Sequence, residues 1–175
     1  MPIDQAPPPT IPNRDEDLLL TLEHATAAIA RRHLRACAEA GIHLKVVSGY
    51  RSWEEQDRLY RQGRSAPGQV VTWVHGGRSW HNYKRAYDVC PIKDGKLQWD
   101  APEKTWQTIG LIGEHLGLFW GGRWKCRDMG HFHLTGGNTL QGLRKAHEQE
   151  VAHRAKLLAH QNATDEDGED DDETP

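Results

Sequence analysis

The chain has 175 residues, 37% hydrophobic and 27% charged, a length and balance that suit one compact domain with short appendages. No apolar run approaches the ~18 residues of a membrane span, and no basic start leads into an apolar core as in a signal peptide. The three cysteines, Cys37, Cys90 and Cys126, form no CxxC pair, which excludes a disulfide framework and a four-cysteine zinc module. The net charge of −3 is uneven: residues 165–173 carry eight acids and no base, so the remainder stands at +5. Such an acidic run repels itself and is expected to be disordered, whereas a mildly basic body suits a polyanionic target: nucleic acid, a membrane surface or a bacterial wall.

Residues 1–13 are proline-rich and read as a flexible leader. The spacing of Leu18, Leu22, Ala25, Ile29 and Ala36 predicts a single helix over about 14–40, capped by Asn13, opened by Asp15, Glu16 and Asp17, and stopped at Gly41. Residues 42–48 alternate as a strand. Ser52 and Glu55 have capping-box spacing, so a short helix is expected over 53–62 with Gly63 as its stop. Residues 64–79 then read as a long surface loop of the kind that often binds ligand. A strand is predicted over 86–92, with Pro91 placing its end at a sheet edge. Asp94-Gly95 signals a hairpin returning through 96–99. Pro102 opens a helix over 102–116, although Gly110 and Gly113 inside it oppose one. Short strands at 118–120 and 131–134 flank a turn-rich segment, and a last helix is expected over 138–160. Mixed helices and strands with a hairpin make the class α+β.

Two clusters pair imidazole with carboxylate: Ser79 to Asp88, containing His81, and Asp128 to His133, containing His131. Zinc accepts both donor types, and catalytic zinc sites use three protein ligands and keep one position open. His81, Asp88 and a histidine of the second cluster would supply such a set, leaving Asp128 as a general base toward a water whose pKa zinc lowers to ~7. Arg51 is the candidate cation for an oxyanion. A His and an Asp seven positions apart are not a specific signature by themselves.

The ordered motifs are more specific. Ser48-Gly49-Tyr50-Arg51-Ser52 is followed by Glu55-Gln56, Leu59-Tyr60, Gln62-Gly63-Arg64, Pro67-Gly68 and Val71-Thr72. Ser79, His81, Ala86 and Asp88 come next, then Trp120-Gly121-Gly122, Trp124, Asp128 and His131. In this series, over roughly residues 35–135, the chain resembles the zinc peptidases of bacterial cell-wall peptides: D-Ala-D-Ala carboxypeptidases, D-alanyl-D-alanine dipeptidases and the L-alanyl-D-glutamate peptidases of phage endolysins. The resemblance implies a small antiparallel sheet carrying a zinc site and flanked by helices, a fold also used by Hedgehog-type proteins. It implies His81, Asp88 and His131 as zinc ligands, Asp128 as the catalytic carboxylate, Arg51 beside the developing oxyanion, and Ser79 in substrate binding.

Two departures stand out. Lys84 occupies a position where the family usually has Gly, costing roughly 1–2 kcal/mol if its φ is positive. His133 follows the His-Phe pair where the family usually has Glu or Gln. On a strand it shares a face with His131, so it competes as ligand or lines the substrate cleft. His131 is preferred as ligand because it alone stands three residues after Asp128. Trp80, Trp120 and Trp124 are candidates for the cleft floor, and Cys90 and Cys126 are read as small buried residues.

The expectation is a peptidase domain over residues 14–160 between the leader and an acidic tail from 161. It is a monomeric zinc enzyme that cuts peptidoglycan stem peptides, with the L-alanyl-D-glutamate bond preferred, and that neither binds nucleic acid nor inserts in a membrane. Without a signal peptide it would await release from a host cytoplasm to the wall, as phage endolysins do in lysis. A D-Ala-D-Ala carboxypeptidase or dipeptidase shares the ligand set and is the alternative. A non-catalytic wall-binding zinc module is the alternative of another class.

Overall fold

The computed structural model describes residues 13–166. The expected leader before Asn13 and the acidic tail beyond Glu166 lie outside the described residues. These residues fall into two units, one ending at Gly137 and one beginning at Asn138. Among the described residues no helix is long and apolar enough to cross a membrane.

The first unit opens with two helices where one was expected: α1 (Asn13–Leu20) and α2 (His24–Glu39). The break has a local cause. The Thr21 hydroxyl turns back to donate to Leu18 O at 2.6 Å and accepts from Tyr50 N at 3.0 Å, so it competes with the helix for backbone groups. Glu23 N is drawn away to Lys84 O at 2.9 Å. Asp15, expected to serve the helix dipole, is instead fully buried and pairs with Lys45, pinning α1 to the first strand. Gly41 (φ 80°) ends α2 as expected, with Ile42 N reaching back to Cys37 O.

Strand β1 (Leu44–Ser48) leads to α3 (Trp53–Arg61), whose start is held by Glu55 N donating to Ser52 Oγ at 3.1 Å. Strand β2 (Ala86–Lys93) turns through Asp94 and Gly95, both at positive φ, into β3 (Lys96–Leu97), which is shorter than expected. Helix α4 (Glu103–His115) precedes β4 (Phe119–Trp120) and β5 (His131–His133). The sheet is antiparallel in the order β1-β2-β5-β4, with β3 paired to β2. Pro91 is accommodated inside the second strand, opposite Leu44 of β1 and beyond the stretch, Ala86 to Asp88, that pairs with β5.

The pleat divides the chemistry. Tyr87 pairs with Phe132 and Phe132 with Trp120, all essentially buried, on the face covered by α2 and α4. Burying each such side chain contributes on the order of 1.5–3 kcal/mol. Trp120 therefore belongs to the core, not to a cleft floor. The two glycines inside α4 are explained here. A Cβ on Gly110 would lie 2.3 Å from the Trp120 ring, and one on Gly113 would lie 2.6 Å from Phe132. His33 of α2 is fully buried under this face, bridging Tyr87 OH at 2.8 Å and Ile109 O at 3.0 Å.

The second unit is one long helix, α5 (Leu140–Glu166), which runs past the end expected at residue 160. It carries Arg144–Glu148 and Arg154–Glu150 pairs along its exposed surface.

Candidate metal centre

The opposite face of the sheet carries the polar register. Asp88 pairs directly with His131, and Ala86 with His133, so the carboxylate and both histidines project to one side. His81 arrives from a short 3-10 turn, Trp80–Tyr83. The result is a triangle of donor atoms. His81 Nε2 lies 3.2 Å from Asp88 Oδ1 and 3.3 Å from His131 Nδ1, and His131 Nδ1 lies 3.1 Å from Asp88 Oδ1.

These three form a possible metal-holding group among the described residues. Donor atoms around a tetrahedral zinc at ~2.0–2.1 Å are about 3.3 Å apart, close to the separations seen. The tautomer also fits. His81 Nδ1 lies 2.7 Å from Gly49 O and donates to it, which turns the Nε2 lone pair into the triangle. Three acceptors facing one another are a set that a cation neutralises, and two imidazoles with one carboxylate suit zinc. Burial alone would raise the Asp88 carboxyl, but His81 and His131 outweigh it and hold it well below the ordinary carboxylate range.

Each arm of the triangle is braced by residues to which the sequence analysis gave no role. Gly49 fits because it lacks a Cβ, which would meet Thr21 Oγ1 at 2.7 Å and Leu18 O at 2.8 Å. Asn82 is buried and latches two segments. Its Nδ2 donates to Arg51 O and Ser52 O, and its Oδ1 accepts from Gly77 N and Ser79 N. Gly121 lets the 121–124 turn press on the site, since a Cβ there would meet Asp128 O at 2.6 Å. An Asn directly after the histidine and a Gly in each Trp- or Tyr-flanked turn were the available signals.

The remaining candidates occupy distinct places. Ser79 caps the 3-10 turn, its hydroxyl accepting from His81 N at 3.4 Å. Arg51 donates to Gln56 Oε1 (2.9 Å) and Ser48 Oγ (3.1 Å), with Nη2 3.7 Å from Asp88 Oδ2. Glu55 pairs with Arg58. Gln56 is fully buried and ties on to Thr72 Oγ1 and Val74 O. Asp128 is exposed, and its backbone carbonyl accepts from His131 N at 3.3 Å. Loss of hydration, then the Asp88 carboxylate, raises its carboxyl above the ordinary range.

His133 shares the His131 face, yet its ring is stacked between Trp80 (4.8 Å, 13°) and Phe119 (5.3 Å, 14°) and does not join the triangle. Burial, then His131 and His81, push it down to about 3, so it is neutral at physiological pH. Trp124 packs on His131 at 4.8 Å. Lys84 follows the turn at φ 60°, ψ 26°, the left-handed conformation that its departure from Gly made costly. Cys90 is buried as expected, but Cys126 is exposed.

Residues 74–134 match the sequence profile of a family described as D-alanyl-D-alanine carboxypeptidase. The peptidoglycan L-alanyl-D-glutamate endopeptidase CwlK of Bacillus subtilis (strain 168) is 39% identical over 108 residues, 57% of this chain. The chain spans 65% of the length of that relative. The fold is shared with the Serratia marcescens L-Ala D-Glu endopeptidase ChiX, at a TM-score of 0.55 and 24% identity over 75% of this chain and 94% of that one. It is shared too with a vancomycin-resistance D,D-pentapeptidase VanY solved with Zn(II), at a TM-score of 0.50 and 14% identity over 71% and 78% of the two chains.

Proposed function

We propose that this chain, a relative of the VanY-like zinc peptidases, is a zinc peptidase that cuts peptidoglycan stem peptides at the L-alanyl-D-glutamate bond. The observation that carries the reading is the donor triangle of His81, Asp88 and His131 with Asp128 and Arg51 beside it. The 39% identity to an L-alanyl-D-glutamate endopeptidase supports the choice of bond.

His81 Nε2, Asp88 Oδ1 and His131 Nδ1 would hold the metal, and zinc when bound would supply a Lewis acid and a nucleophile at neutral pH. Asp128, beside the triangle, would take the proton of the attacking water and deliver it to the leaving amine. Arg51 uses two of its N–H donors on Gln56 and Ser48 and turns positive charge toward the carbonyl oxygen as it gains charge. Ser79 fixes the turn that presents His81, and neutral His133 forms part of the aromatic wall against which substrate lies. The physiological setting we infer is that of a phage endolysin, held in the host cytoplasm until it is released to the wall.

Mass spectrometry of defined muropeptides treated with the zinc-loaded protein tests this. The expected product is a peptide beginning at D-glutamate, falling ~10²–10⁴-fold with Asp128→Ala. Release of D-alanine or of its dipeptide would transfer the chain to the carboxypeptidase or dipeptidase reading, which the family profile over 74–134 favours. Zinc binding without any cleavage would leave a wall-binding module.

A further inference from the structure

The loop between α3 and the 3-10 turn carries an aromatic feature that the reaction chemistry leaves unused. Trp73 is 72% exposed, and Val71 beside it 56%. The indole is nevertheless held on an ordered stack. Arg64 lies over the Tyr60 ring at 4.0 Å and reaches the Trp73 ring at 5.3 Å. Its guanidinium is fixed by donation to Tyr60 O (2.5 Å) and Thr72 O (3.0 Å). His75 lies on Tyr60, ring centroids 3.6 Å apart, and is anchored by Asp57, which also accepts from Gly76 N.

The loop's attachment places this stack. Gln56 Nε2 donates both to Thr72 Oγ1 and to Val74 O, holding the chain on either side of Trp73; residues 72 and 74 are half-buried and Trp73 between them is exposed. The same Gln56 accepts from Arg51, which stands 3.7 Å from Asp88. The loop that presents the indole is thus joined through Gln56 to Arg51 of the site.

We propose that Trp73, backed by Arg64 and Tyr60, is a subsite for a sugar ring of the peptidoglycan glycan strand. This rests on the stem-peptide reading of the metal centre. The L-alanine of the stem is amide-linked to a sugar, so a cut on its other side leaves a pyranose one residue from the reacting carbonyl. A pyranose presents one apolar C–H face, and a water-exposed indole gains by being covered with such a face. Arg64 beneath it is already held by hydrogen bonds and loses little freedom in doing so. The subsite would favour stem peptides still attached to glycan over free peptides.

Two measurements test this. The first compares cleavage of a disaccharide-bearing stem peptide with the same peptide lacking sugar. The wild type should prefer the sugar-bearing substrate, and Trp73→Ala should lose about five- to tenfold in kcat/KM on it alone, with Trp73→Phe recovering most of the loss. Equal loss on both substrates, no loss, or no sugar preference in the wild type would overturn the subsite while leaving the peptidase reading intact. The second is titration of peptide-stripped glycan oligomers followed by tryptophan fluorescence and NMR. Binding by the wild type that Trp73→Ala weakens supports the subsite even if no peptide is cut, the result that would sink the peptidase reading alone. Absence of binding at millimolar oligomer would overturn the subsite.

Discussion

Lys84 holds a backbone conformation that ordinarily belongs to glycine, and two neighbours depend on it: its carbonyl accepts from Glu23 and its N–H reaches His81 O. The left-handed conformation costs roughly 1–2 kcal/mol, of which the ammonium over the Tyr50 ring at 5.4 Å returns a part. Lys84→Gly should therefore raise stability by about 1 kcal/mol in denaturant unfolding, and a destabilised variant would show that the lysine contact outweighs the strain. His33 offers a pH test on the opposite face of the sheet. Burial pushes it down to about 4, despite the Ile109 carbonyl favouring its charged form. An unfolded chain takes up this proton as pH falls through ~6.5, whereas the folded one resists until about 4. The associated stability is thus complete above about 6.5 and drains away across the interval down to 4, by about 3 kcal/mol in all. Unfolding measured across that interval should show a shallower decline for His33→Gln than for the wild type. Parallel curves would remove His33 as the source.

Helix α4 shows how an element can contradict its own propensities. Gly110 and Gly113 argue against a helix when read locally, and they are present because Trp120 and Phe132 press against the helix axis. Gly110→Ala gains up to ~1 kcal/mol of helix propensity but drives a methyl into the Trp120 ring, so a net loss of about 1–2 kcal/mol is expected in thermal unfolding. Elements with a local cause were legible: the Ser52 cap, the Gly41 stop and the Asp94-Gly95 turn all stand where the sequence placed them. The break at Thr21 was not, because it depends on Tyr50 and Lys84, which are remote in sequence. The same distinction runs through the site. Alternation along β5 put His131 and His133 on one face, but that His133 is stacked between Trp80 and Phe119 follows from three separate segments. Trp120 was misplaced for a related reason: a motif-adjacent tryptophan on a two-residue strand gives no sign of which face it takes.

At the scale of the molecule, the face that stabilises the sheet and the face that carries chemistry are separate. α2 and α4 cover the core, while β2, β5 and the 3-10 turn supply the donors and the loop after α3 supplies the aromatic stack. This lets loops vary around a fixed donor triangle. The triangle itself joins positions far apart along the chain, His81 and His131 being 50 residues apart. A bound ion therefore acts as a removable staple: it closes a long loop, and the free energy of its capture is shared with folding. Zinc should raise the melting temperature in proportion to the logarithm of its free concentration, and should slow proteolysis across residues 81–131. The same protein would then be open to housekeeping proteases where zinc is scarce and durable where it is plentiful, so that metal supply sets the lifetime of the molecule as well as its chemistry.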